Sequence, residues 1–332
     1  MPTTLLRILF IDMPREALSW LGKQGTRALA ALVVIGIALP WFGTMFKPYV
    51  TEAVFVLLCI AFLRVDSAGF KACIRRPFIV GAATAWTAVV VPVIFGTGCL
   101  ALGLERHLPG LFLGLILQAV ASPMMAAPAL AALMGLDTTI VLVTLITSTF
   151  LIPITAPLFV HLFVGSSLSI SPWLLAIKLF AILGGAALIG VAGRRVLGVA
   201  TIERYNDRIN GLNILVLFVF VAALMEKVGD RFIAAPMITL GLAMLAFLVF
   251  FAVLLLTALL FLFAGRERAL ALAFMASQRN MGLMLAATGG ALPDLTWLYF
   301  ALSQFPIYLS PLLLRPIVRL ILGYRSNQFS RR

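Results

Sequence analysis

Ala121-Ser122-Pro123-Met124-Met125-Ala126-Ala127-Pro128-Ala129-Leu130-Ala131-Ala132 lies over Ala276-Ser277-Gln278-Arg279-Asn280-Met281-Gly282-Leu283-Met284-Leu285-Ala286-Ala287 with five identities in twelve positions and no gap. Both segments sit inside long apolar runs, and both carry chemistry that interrupts a helix. Pro123 and Pro128 have no backbone N–H and disfavour helical backbone at Ser122 and Ala127. In the second copy the polar cluster Ser277-Gln278-Arg279-Asn280 is followed by Gly282. Non-helical backbone at membrane depth survives only where protein or a water-filled cavity satisfies it. Two such breaks meeting would aim half-helix N-termini, each a partial positive charge, at one small volume that favours an anion. The competing reading is that the prolines only kink helices for packing.

The surroundings are those of a membrane protein. Of 332 residues 63% are hydrophobic and 11% charged, where a soluble domain carries roughly a quarter charged residues. The same figures exclude a disordered chain. Cys59, Cys73 and Cys99 have no Cys-x-x-Cys spacing, which excludes a disulfide scaffold or zinc module. The 25 Lys and Arg against 12 Asp and Glu give a net charge of +13. These basic residues fall between the apolar runs, which marks membrane topology and not a nucleic-acid partner.

Cutting the chain where charges or Pro/Gly clusters interrupt gives ten spans, at 27–46, 49–64, 78–103, 109–134, 138–164, 171–193, 209–226, 233–264, 268–291 and 295–322. The loops alternate in charge at every step. Nineteen Lys and Arg fall on one side, and Lys47, Arg106, Lys227 and Arg231 on the other. Losing one span would scramble this alternation, so both termini are expected in the cytoplasm of a multi-pass protein of the cell's inner membrane. No signal-peptide layout precedes the first run, and 5–21 read as a short interfacial helix within a cytoplasmic segment 1–26. The internal match pairs the fourth span with the ninth. Five spans per copy is odd, so the second copy is inverted. The expected fold is therefore an all-α polytopic membrane protein: ten transmembrane helices as two inverted five-helix repeats, 27–165 and 171–322, with broken, crossing fourth and ninth helices and a basic tail at 323–332.

Two cations remain inside spans. Lys178 is near enough to the outer end of the sixth for its stem to snorkel. Arg279 falls mid-span, where an unpaired charge costs several kcal/mol. It needs a partner or a wet cavity.

These residues resemble the bile acid:sodium symporter family, within the wider superfamily that includes the arsenical-resistance permeases. The resemblance rests on Ala83-Thr84-Ala85-Trp86, on Gly114-Leu115-Ile116-Leu117 leading into the broken fourth span, and on Leu133-x-Gly135-x-Asp137. It continues through Thr147-Ser148-Thr149 and Pro153 to Asn280-x-Gly282-Leu283. It implies a core domain built on crossed, unwound fourth and ninth spans that moves against a panel domain. Carried over by position, the family's sodium ligands are replaced: its Ser-Asn pair falls on Ala127 and Pro128, its fifth-span hydroxyls on Val141 and Leu145, its shared glutamate on Met275, and its glutamines on Arg279 and Gly81. Sodium needs oxygen ligands, so coupling by the usual sites is not expected. Arg279 instead stands where a bound cation would be, always charged. It either pairs with a substrate carboxylate or donates to carbonyls orphaned by the breaks.

The candidate pathway comprises Arg279, Asn280, Gln278, Ser277, Ser122, Pro123, Pro128, Gln118, Thr147, Ser148, Thr149, Ser303 and Gln304. The hydroxyls among these have a second reading as back-bonds within their own helices. Met124, Met125 and Met281 beside the breaks either shape an apolar pocket or pack adaptably. Glycines 184, 185, 190 and 193 are expected to let helices approach closely. The carboxylates fall at span ends or in loops, which argues against proton coupling through a buried acid. Intramembrane catalytic pairs and a phosphate-binding loop are not found, so neither an enzyme nor an ATP-driven pump is expected, and no cofactor or metal. The expected function is secondary transport of a small or amphipathic organic anion, with a lipid bilayer as surroundings. A sodium symporter using backbone ligands, and a sensor or channel on the same fold, remain open.

Overall fold

The computed structural model describes residues 15–65, 77–165, 171–290 and 292–323. Among the described residues the chain is helices joined by short turns, with one antiparallel bridge, between Pro123 and Arg279. In chain order the main helices are α1 (Arg15–Ala38), α2 (Pro40–Phe46), α3 (Val50–Arg64), α4 (Pro77–Ala101), α5 (Pro109–Val120), α6 (Ala127–Met134) and α7 (Thr138–Val164). They are followed by α8 (Pro172–Leu197), α9 (Asn206–Met225), α10 (Pro236–Leu260), α11 (Arg266–Ser277), α12 (Met281–Thr288) and α13 (Asp294–Leu322).

Local chemistry sets these boundaries. Pro40, Pro77, Pro109, Pro172 and Pro236 each open a helix, where the missing N–H costs nothing. Asp137 caps α7 by accepting from the N–H groups of Thr139 and Ile140, both at 3.1 Å, and Ser171 caps α8 through Leu174 at 3.2 Å. Gly135 and Gly289 close α6 and α12 in left-handed conformations, with φ 77° and 69°.

Among the described residues, seven helical stretches are long and apolar enough to cross a membrane: 40–64, 77–101, 138–164, 172–197, 206–234, 236–260 and 294–322. The expected first, fourth and ninth spans are not among them: the first, 27–46, is divided at Leu39 between α1 and α2, and each of the other two is two short helices, of 12 and 8 residues in both cases. The sequence boundary at 26/27 does not coincide with a helix end, because α1 runs unbroken from Arg15 to Ala38. Residues 15–21 of the expected interfacial helix are thus the first turns of α1; 5–14 and the tail beyond 323 lie outside the described residues. Charge shows where lipid ends, whereas a helix continues into water without a change of backbone.

Helices α1 and α9 run side by side in the same direction, Gly22 against Asp207 and Gly211, and Gly36 against Ala222 and Met225. A Cβ on Gly211 would stand 2.0 Å from the carbonyl oxygen of Leu18. A Cβ on Gly190 would stand 2.5 Å from the Cβ of Phe62 of α3, and Gly193 and Gly185 lie against Leu63 and Phe55. Gly184 does not follow them: nothing stands within 4 Å of its Cβ position. Lys178 is half-buried with its Nζ beside Gly289, at the electronegative C-terminus of α12.

Candidate functional site

The two interrupted spans meet through their backbones. After α5, Ala121 turns extended (φ −64°, ψ 147°); after α11, Gln278 does the same (φ −83°, ψ 92°). The N–H of Met124 donates to the carbonyl of Gln278 at 2.7 Å, and that of Asn280 to the carbonyl of Ser122 at 2.8 Å. These two bonds satisfy backbone groups that unwinding had orphaned. Each chain then re-enters a helix. Asn280 caps α12, its Oδ1 accepting from the N–H of Leu283 at 3.1 Å. Pro128 is not itself a break: it occupies the first turn of α6, where its missing donor is tolerated. Pro123 and its neighbours carry the interruption.

Arg279 is 3% exposed. Its Nη1 donates to the carbonyls of Ala121 at 2.9 Å and Thr87 at 3.2 Å. The first carbonyl is free because α5 ends there. The second is free because α4 widens to a π-turn at Trp86–Val90: the N–H of Val91 goes to Trp86, and the next residue, Pro92, has no N–H to offer Thr87. Guanidinium has five N–H donors. The Nη1 pair is spent on these carbonyls, whereas Nε and Nη2 have no protein partner. Ser122 Oγ and Gln278 Oε1, on the same crossing, are also buried and unpartnered. The amide Nε2 of Gln278 donates to Ser310 Oγ of α13 at 2.7 Å.

The other candidates divide. Thr147 and Ser148 tie α7 to α4, by Thr147–Thr84 at 2.6 Å and Ser148–Thr87 at 2.9 Å, so Ser148 stands one bond from the Arg279 contact. Thr149, its Oγ1 buried and unpartnered, lines an apolar cleft with Phe62, Phe180 and Gly184. Gln118 is held by the Tyr299 hydroxyl, which donates to its Oε1. Ser277, Ser303 and the amide nitrogen of Gln304 donate to carbonyls of their own helices, at Phe274 and Phe300. Sequence reasoning missed Thr87, Ala121 and Ser310, which act through a carbonyl or a second contact. The signal for Thr87 was Pro92 five residues on.

A sequence model of the Sodium Bile acid symporter family matches residues 51–235. The chain belongs to that family. The match spans α3 through α9 and so includes the first break and the π-turn of α4, with Arg279 outside it. No curated protein matched the chain. Family and apolar helices together make this an integral membrane protein of a transporter family.

Proposed function

We propose that this family member carries a small or amphipathic organic anion by alternating access, with Arg279 as a built-in cation in place of sodium at the family's usual sites. The observation that carries the reading is the division of labour on the guanidinium. Its Nη1 stabilises two carbonyls freed by irregular backbone, as a bound cation would. Its Nε and Nη2, one edge of the fork, are left without protein partners. That edge accepts a carboxylate bidentately.

The accompanying architecture is ten spans in two inverted five-helix repeats, 27–165 and 171–322, with both termini cytoplasmic in the inner membrane. Support comes from the broken spans: each pairs a 12-residue with an 8-residue helix. Each second half ends alike, Leu136 bonding back to Ala131 and Gly290 to Leu285.

The test is a thermal-stability screen of purified protein against organic anions, butyrate and a steroid carboxylate among them, with and without sodium. The expected result is sodium-independent stabilisation that Arg279→Gln abolishes. Stabilisation that strictly requires sodium, or that survives Arg279→Gln, overturns it. The sodium-coupled alternative draws on the family's description and on the unpartnered oxygens of Ser122 and Gln278, and would give the first of those outcomes. Counterflow in liposomes separates a carrier, which shows it, from a channel or sensor, which does not.

A further inference from the structure

A group of unpaired cations lies away from the crossing, on the turn that joins α8 to α9. After Leu197 the chain passes through Gly198 (φ 76°) into a short helix, Val199–Arg204, and Tyr205 precedes α9. The guanidinium carbon of Arg208 lies 4.9 Å from the centroid of the Tyr205 ring, and that of Arg204 5.8 Å. Two like charges thus converge on one exposed ring, which attracts each of them weakly. Carboxylates do not balance them. Among the described residues neither arginine has one within 4 Å: Asp207 faces Lys23 instead, at 4.0 Å, and Glu203 is exposed and forms no ion pair. Arg195, exposed at the end of α8, is a third cation without a carboxylate partner there. Three cations against Glu203 alone leave a positive surplus. The same turn exposes apolar side chains: Val196 is 85% exposed, with Leu197 and Val199 exposed beside it. Ile189, seven residues and two turns earlier on the same face of α8, is exposed as well. Because α8 is long and apolar enough to cross a membrane, that face meets acyl chains, and Val196 continues it to the level of the arginines.

We infer that this turn binds an anionic phospholipid headgroup, whose phosphodiester lies between Arg204 and Arg208 while its acyl chains run beside Val196 and Ile189. Guanidinium forks match phosphate oxygens bidentately, and one phosphate between two of them relieves their mutual repulsion. Tyrosine is at home at headgroup depth, and basic residues at that depth attract anionic lipid. Phosphatidylcholine carries the same phosphodiester but brings a quaternary ammonium of its own to a site already rich in cations. A free phosphate would leave Val196, Leu197 and Val199 in water. The inference is independent of the reading of Arg279 above.

The experiment places full-length protein in nanodiscs of phosphatidylcholine, alone or mixed with phosphatidylglycerol, and reads the melting temperature in each. Phosphatidylglycerol is expected to raise it by several degrees. Arg204→Gln combined with Arg208→Gln should melt with the wild type in phosphatidylcholine and lose more than half of the gain. Lys227→Gln combined with Arg231→Gln removes the same charge elsewhere and should keep the gain. Glu203→Gln removes the adjacent carboxylate and should enlarge it, which a misfolded variant cannot imitate. A gain that survives loss of Arg204 and Arg208, that falls equally in the Lys227 and Arg231 control, or that does not grow in Glu203→Gln overturns the inference. Inorganic phosphate added to phosphatidylcholine discs should give less than a tenth of the effect; a gain equal to that of phosphatidylglycerol would make this a site for soluble phosphate and overturn the lipid assignment.

Discussion

Backbone carbonyls, not acidic side chains, hold the buried guanidinium of Arg279, and the same economy governs its neighbour. Gln278 spends its amide N–H on Ser310 and keeps its Oε1 free. Ser310→Ala leaves that buried donor unpaired, an expected loss of about 1–3 kcal/mol, read as a lower melting temperature in detergent. Thr87→Val leaves the buried Ser148 Oγ without its Thr87 bond, for about 1–3 kcal/mol, and keeps the carbonyl that Arg279 uses. Anion stabilisation should therefore persist in Thr87→Val. If it disappears, the hydroxyl and not the carbonyl is what matters. Depth and charge made Arg279 legible in the sequence, because a guanidinium in mid-span stands out. Its partners were not, since every residue has a carbonyl and only the backbone register decides which one is spare. Likewise Ser303, Gln304 and Ser277 read as polar pathway residues, and each donates to a carbonyl of its own helix.

Among helices, contact distance decides which glycines matter. At Gly211 an added Cβ meets the backbone oxygen of Leu18, which no rotamer change relieves. Gly211→Ala should force α1 and α9 apart and cost about 1–3 kcal/mol or more, seen as loss of a monodisperse peak in size exclusion. Gly184→Ala meets nothing and should be neutral or stabilise by roughly 0.5–1 kcal/mol through helix propensity. In the sequence the four glycines of α8 look alike; only the position of α3 separates Gly190 from Gly184. Span ends in 138–164 and 295–322 were legible to within a residue, because caps and charges mark them. The start of α1 was not, because Glu16, Lys23 and Arg27 suit an exposed helix as well as a loop.

For the whole molecule, the loop charges predict both ends on one side. Reporters that fluoresce only in the cytoplasm should do so when fused at either terminus; one dark fusion would remove a span from the count and with it the inverted repeat. The pairing of the two breaks was readable from five identities, since Ser122 and Ser277 flank breaks that do meet. What no alignment conveyed is how they meet. A lone rung of sheet, Met124 to Gln278 and Asn280 to Ser122, clasps two segments far apart in the chain. In lipid, neither backbone has water to turn to if the rung opens. The two interrupted rods are therefore mechanically a single object. Neither can tilt, slide or be drawn from the bilayer without taking the other along, and any stroke of the machine has to carry the clasp as cargo of its own.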